Sequence, residues 1–207
     1  MKFFTSTKPF VILLFVAGWL LSGCGNSDEK KIDPAFSQYI SGFTSGIISK
    51  KTVFRIRLSQ PSKKFTGLNE VVEDVFDFSP SVKGNAYWVD NQTIDFKPEQ
   101  LLKSGTRYNI EFNLGEVLDV ESKFQVFEYQ VQTVKQTFEV KVEKMKPYEE
   151  TSLIWNKLEG TIRSVDFLDI TEAEHLLFAT QNTKKLLIKW EHDESGRVHQ
   201  FVVDSVE

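Results

Sequence analysis

From residue 52 onward the sequence keeps alternating apolar and polar side chains with a period of two, and that pattern confines the chain to β structure. In Thr52-Val53-Phe54-Arg55-Ile56-Arg57-Leu58, Phe54, Ile56 and Leu58 share one face while Arg55 and Arg57 share the other. A strand with one buried face is written this way because successive side chains leave opposite sides of the backbone. Both arginines read as a solvated face. Thr106 to Phe112 repeats the alternation, and Gly84 to Val89 can pair with Thr93 to Phe96 through an Asp90-Asn91-Gln92 turn, a hairpin in a meander. Val72 to Phe78 ends at Ser79-Pro80-Ser81, and Phe124 to Val134 has an imperfect parity that predicts a bulge or a start covered on both faces. Between them Lys97 to Gly105, bracketed by Pro98 and Gly105, reads as a short helical turn or loop. Together these segments give about seven strands with turn-rich connections, the pattern of a sandwich of roughly 100 residues.

A second β set follows. Thr137 to Val142, Leu153 to Leu158, Gly160 to Val165, Leu186 to Trp190 and Val198 to Val203 are strand candidates. One helix is expected, opened by a capping box at Thr171-Glu172-Ala173-Glu174, with Leu176, Leu177 and Phe178 covering a sheet. The expected fold is therefore mainly β, two tandem immunoglobulin-like β-sandwich domains over residues 37–135 and 136–207, the second with one short helix. No terminating element precedes Glu207, so the second domain is expected to be truncated and the chain to be the start of a longer protein.

The amino terminus reads as a lipoprotein signal. Lys2 and Lys8 precede an apolar run from Phe10 to Leu21, and Leu21-Ser22-Gly23-Cys24 follows. Such a run fits a secretory core of 7 to about 15 residues and is shorter than the roughly 20 needed to span a bilayer. Residues 1–23 are the expected signal peptide, Cys24 the acylated residue and residues 24–36 a lipidated tether. The partner implied first is thus the lipid bilayer, reached through Cys24. Loss of residues 1–23 takes the formal charge from -4 to -6. Gly25 after Cys24 is compatible with the outer membrane, and Asn26-Ser27-Asp28-Glu29 is similar to an acidic surface-export signal. A bacterial cell-envelope location is expected, facing the periplasm or the surface.

Chemistry is sparse. With 25 basic and 29 acidic residues the chain lacks the basic footprint that nucleic-acid binding needs. One cysteine and three histidines exclude an internal disulfide and a cysteine-rich zinc site. No phosphate loop, dinucleotide fingerprint or nucleophile elbow is present. Glu73, Asp77 and Asp95 read as the outward side of strands. His192 and His199 flank Asp193-Glu194-Ser195-Gly196-Arg197, and a hairpin there brings two imidazoles together, but two rings without a third ligand do not specify a metal. An exposed turn is the simpler reading, and Asp90-Asn91-Gln92 lacks the ligand spacing of a calcium loop. Hence no catalytic, metal or cofactor residues are expected, and no small-molecule cofactor. Tyr87 and Trp88 point to opposite sides of one strand, so at least one aromatic is expected at the surface, where a partner could meet it.

Four segments carry a likeness to a known family. Ser41-Gly42-Phe43-Thr44-Ser45-Gly46-Ile47-Ile48-Ser49, Phe76-Asp77-Phe78-Ser79-Pro80-Ser81-Val82-Lys83-Gly84, Trp88-Val89-Asp90-Asn91 and Leu102-Lys103-Ser104-Gly105-Thr106-Arg107-Tyr108 resemble the amino-terminal macroglobulin-like region of bacterial alpha-2-macroglobulin lipoproteins. The resemblance implies macroglobulin-like β domains and a part in a long protease inhibitor that offers a bait segment and closes around the protease that cuts it. Proteases would then be partners of the full-length protein. With Cys24 given to the anchor, no thioester cysteine remains, and no bait residues carry over. The alternative is a stand-alone envelope lipoprotein that binds a protein or a glycan.

Overall fold

A computed structural model describes residues 31–149 and 152–207, so the expected signal peptide and Cys24 lie outside the described residues. Strand β3 (Phe54–Leu58) buries Phe54, Ile56 and Leu58 and turns Arg55 and Arg57 outward, as the alternation requires. It lies between β1 (Ile40–Phe43) and β7 (Thr93–Pro98); β6 (Gly84–Asp90) and β4 (Val71–Val72) complete a five-stranded antiparallel sheet in the order β1-β3-β7-β6-β4. A second sheet has the order β2 (Gly46–Ile48), β9 (Val126–Thr133), β8 (Arg107–Asn113), β5 (Phe76–Ser79), with β2 parallel to β9 and the other pairs antiparallel. Phe54, Ile56 and Ile94 of one sheet join Ile110, Phe112 and Phe127 of the other in one core. Phe78 bridges the sheets, 4.9 Å from Phe54 and 4.6 Å from Phe96 between ring centroids. This is a mainly β fold built as a sandwich.

Several local expectations shift. Asp95 lies on the outward face it was expected to occupy, opposite Arg55, but it is buried there because the guanidinium covers it in a two-point ion pair, Nε to Oδ1 at 2.6 Å and Nη2 to Oδ2 at 2.7 Å. That contact raises the Arg55 pKa further above its ordinary value. The tether gives way to the fold before residue 37: Ile32 and Phe36 already pack on the first core, and Phe36 lies 5.1 Å from both Phe124 and Phe127. The odd parity near Phe124 comes from a 3-10 turn, Ser122–Phe124, after which β9 runs without a register shift against β8. Between Pro98 and Gly105 the chain takes the loop form, one of the two its sequence allowed.

The second half is built on β11 (Ser152–Ser164), a single strand where the sequence suggested two. Gly160 does not interrupt it. A Cβ there would collide with the Phe201 ring and the Lys141 carbonyl oxygen, so glycine lets that ring lie across the strand. With β10 (Phe138–Glu149), β15 (Val198–Val206) and β14 (Ile188–His192), β11 forms an antiparallel sheet in the order β10-β11-β15-β14. The hairpin β12 (Ala179–Gln181) and β13 (Lys184–Leu186) is separate. Ile162, Phe201 and Val203 are buried beneath Leu176, Leu177 and Leu186. The expected short helix is Ile170–His175, but its capping box sits two residues earlier than expected. Asp169 accepts from the Thr171 N–H at 2.9 Å and Glu172 from the Asp169 N–H at 3.4 Å, since a short carboxylate before the helix reaches the free amides directly.

Asp166 joins the two halves. Its carboxylate accepts from the Ser49 hydroxyl at 2.6 Å, the Lys50 N–H at 2.7 Å and the Phe167 N–H at 2.8 Å. Gln136 exchanges side-chain hydrogen bonds with the Asp166 backbone at 3.1 and 3.2 Å, while Lys50 Nζ reaches Glu172 at 3.0 Å. Burial alone would raise the Asp166 pKa; the bonds from Ser49, Lys50 and Phe167 outweigh it and hold the carboxyl below its ordinary value.

Asp166→Ala removes three acceptor contacts and strands the buried Lys50 N–H, so it should cost about 3 kcal/mol in urea unfolding at pH 7. The contribution of a carboxyl with a lowered folded pKa is complete above the unfolded value near 3.9 and disappears as pH falls through the folded value. The gap between wild type and variant should therefore close in strongly acidic solution.

Candidate functional site

The sequence-based candidates separate in the structure. Cys24 lies outside the described residues. Trp88 is only 2% exposed and packs edge-on against Phe65 at 5.5 Å, so its expected place on a partner surface is corrected to the sandwich core. Tyr87, on the other face of β6, is half-buried with Lys97 Nζ 5.5 Å from its ring centre. The two side chains leave opposite faces of β6, and of the two Tyr87 keeps the larger exposed surface.

A polar network surrounds the β14–β15 hairpin in the second half. The turn from Asp193 to Val198 closes with Asp193 N–H to Val198 C=O at 3.1 Å, and Gly196 supplies the φ of 63° that the bend needs. Asp193 also accepts from the Ser195 hydroxyl and from the Arg197 and Val198 N–H groups. The Ser195 bond leads in holding its exposed carboxyl below the ordinary pKa. This ordered turn places His192 opposite His199, with Nδ1 to Nδ1 at 2.8 Å. His192 Nε2 lies 3.3 Å from Glu174 Oε1 on the helix, and the Trp190 ring stacks on His192 at 5.9 Å.

His199 is wholly buried, not a flank of an exposed turn. Its neighbours Phe201 and Val203 share its side of β15, and that parity, visible in Val198-His199-Gln200-Phe201-Val202-Val203, is the signal that could have placed it. Burial first, and the neighbouring His192 second, lower its pKa and keep the ring neutral. One tautomer set satisfies the chain: His192 Nε2–H donates to Glu174, and His199 Nδ1–H donates to His192 Nδ1. His199 Nε2 is then a bare acceptor without a partner, which costs less than an orphaned N–H. Among the described residues no three His, Cys, Asp or Glu side chains are grouped to hold a metal ion.

A groove of about 430 Å³ opens beside this relay, lined by Glu174 and Leu177, by Lys185 and Leu187 of the hairpin and its exit, and by Ile188 and Trp190. Its rim is apolar and open: Phe178, expected to cover the sheet, is 80% exposed, because the helix ends at His175 and only Leu176 and Leu177 turn inward. Leu187 is 65% exposed. Large hydrophobic side chains grouped at a rim with charged neighbours are suited to protein contacts. A second groove of about 600 Å³ lies between β4, β6 and β5, beside Glu73, Asp74 and Asp77. There Asn113 Nδ2 donates to the Asp74 carbonyl at 2.6 Å and approaches Asp77 at 3.4 Å.

The sequence matches no known protein family and no characterised protein. Among solved structures the chain is similar to L,D-transpeptidase 3 from Mycobacterium tuberculosis in complex with a faropenem-derived adduct, at 9% identity and a TM-score of 0.34, over 77% of this chain and 59% of that one. A further structure of the same enzyme gives 9% identity and a TM-score of 0.33, over 76% of this chain and 60% of that one. The chain thus spans about three fifths of the length of these structures.

Because His199 is held neutral in the fold and titrates freely when unfolded, the unfolded chain binds more protons below about pH 6.5. Stability should fall as pH drops from 7 to 5, read as a falling melting temperature. His199→Leu should flatten that slope by removing the titrating group and its unpaired nitrogen.

Proposed function

We propose that the chain is a lipid-anchored, non-catalytic segment of the bacterial cell envelope, the membrane-proximal part of an alpha-2-macroglobulin-like protease inhibitor. In this reading Cys24 carries the acyl chains and the β domains form a spacer that holds the inhibitory machinery off the bilayer. The supporting observation is that the four segments of the resemblance meet in one core. Ile48 pairs with β9 beside Thr133, Phe78 stands opposite Ile110, and Trp88 stands opposite Ile94. The Tyr108 hydroxyl accepts from the Lys103 N–H at 3.0 Å, closing the loop that carries Ser104 and Gly105. The likeness therefore falls on positions that packing constrains. Ser49, at the end of the first segment, also bonds Asp166, which stiffens the spacer at its joint. The exposed Phe178 and Leu187 favour a second reading, a stand-alone lipoprotein whose groove beside Trp190 receives a protein or a glycan.

In cells that make the protein, an antibody against residues 32–207 should detect in the outer-membrane fraction a palmitate-labelled polypeptide far larger than the 23.9 kDa of this chain. Added endopeptidase should cut that polypeptide and remain trapped with it. A labelled band no larger than this chain overturns the inhibitor reading in favour of the second. Label that survives Cys24→Ser overturns the anchor on which both rest.

A further inference from the structure

Among the described residues, strand β10 is the open edge of the β10-β11-β15-β14 sheet. It pairs with β11 on one side, and every residue from Thr137 to Tyr148 is exposed. The Val165 N–H donates to the Thr137 carbonyl, so Thr137 faces β11 with its backbone groups. Alternation then gives Glu139 and Lys141 to β11 and turns the N–H and C=O of Phe138, Val140 and Val142 to the open side. The side chains of those same three residues lie on the core face, opposite Ser164, Ile162 and Gly160. Yet they remain 49%, 41% and 59% exposed. Unpaired backbone beside exposed apolar side chains is a template for another strand.

Edges are ordinarily protected by bulges and proline. Here both come late: the register shifts between Val142 and Lys144, and Pro147 lacks a donor farther on. The regular open stretch is therefore Phe138-Glu139-Val140-Lys141-Val142; its apolar pattern is symmetric about Val140, and its charges, Glu139 on one side and Lys141 on the other, are complementary to those of a second copy. An antiparallel copy centred there sets Val140 against Val140 as a hydrogen-bonded pair. It also sets Phe138 against Val142 on the apolar face, and Glu139 against Lys141 of the second copy twice on the polar face. Shifting the centre to Lys141 places Glu139 against Glu143, like charges that repel.

We propose that β10 is a self-association edge, joining two copies of this chain through antiparallel pairing about Val140 into one continuous eight-stranded sheet. The two-fold axis passes through the Val140 pair, each copy giving the same surface and receiving it. Six apolar side chains, three from each copy, become neighbours across the junction.

The test uses the full-length protein in detergent, by sedimentation and by cysteine crosslinking. The wild type should be a dimer at tens of micromolar. Lys141→Glu, on an exposed position, should raise the dimer dissociation constant about tenfold or more, because both cross-strand pairs become Glu opposite Glu. The double change Glu139→Lys with Lys141→Glu should restore the dimer, since the exchanged charges pair again. Val140→Cys should form an intermolecular disulfide on mild oxidation, the Cα separation of about 5.5 Å expected for such a pair falling within disulfide range. A wild type that stays monomeric, a Lys141→Glu variant as dimeric as wild type, or a double variant as monomeric as the single one would each overturn the proposal.

Discussion

One carboxylate holds the architecture together. Asp166 receives Ser49, Lys50 and Phe167 at once, and Lys50 in turn belongs to a loop whose carbonyl accepts from the Leu102 N–H at 2.9 Å. The neighbouring Ile48 carbonyl accepts from the Val134 N–H at 2.8 Å. Three chain segments of the first sandwich are thereby tied to the β10-β11-β15-β14 sheet through a single buried charge. Burial of a carboxylate is unfavourable by itself; the three donors make it favourable here, which is why its pKa moves down rather than up. Lys50 adds a second contact through Glu172, so the same loop also anchors the start of the helix.

That anchored helix decides what the β10-β11-β15-β14 sheet can present. Its Glu174 carboxylate reaches His192, and through it the buried His199, so the helix end, β14 and β15 are linked by a polar thread as well as by Leu176 and Leu177. The groove beside Trp190 exists because the β12–β13 hairpin and the helix terminus meet β14 without closing over it. Lys51, whose ammonium lies 4.2 Å from the centre of the Phe167 ring, adds a cation-π contact at the joint.

Much of this was legible in the sequence because burial on one face writes itself with a period of two. The arginines of β3, the hairpin at Asp90–Thr93 and the helix near residue 171 follow from local rules. What escaped depends on neighbours distant in sequence. Asp95 reads as a surface carboxylate until Arg55 is placed beside it. Trp88 reads as a candidate contact until Phe65 arrives from a loop to cover it. Gly160 reads as a break until the Phe201 ring needs the space above it. Asp166, which joins the two halves, sits in an unremarkable Val-Asp-Phe-Leu run with no local signature at all.

The bare edge at β10 follows from the dimensions of what covers the sheet. Adjacent strands lie about 4.8 Å apart, and a helix with its side chains is about 10 Å across, so one short helix shelters roughly two strands. Helix Ile170–His175 and its Leu176-Leu177 continuation spend that cover on the Ile162, Phe201 and Val203 cluster near β14 and β15. Among the described residues nothing comparable covers Phe138, Val140 and Val142, although they share the same face as Ile162 through direct strand pairing. Helix and hairpin together cover the β14 and β15 side of the four-stranded sheet, and the apolar margin left at the other side coincides with the strand on which Glu139 and Lys141 carry opposite charges on either side of Val140.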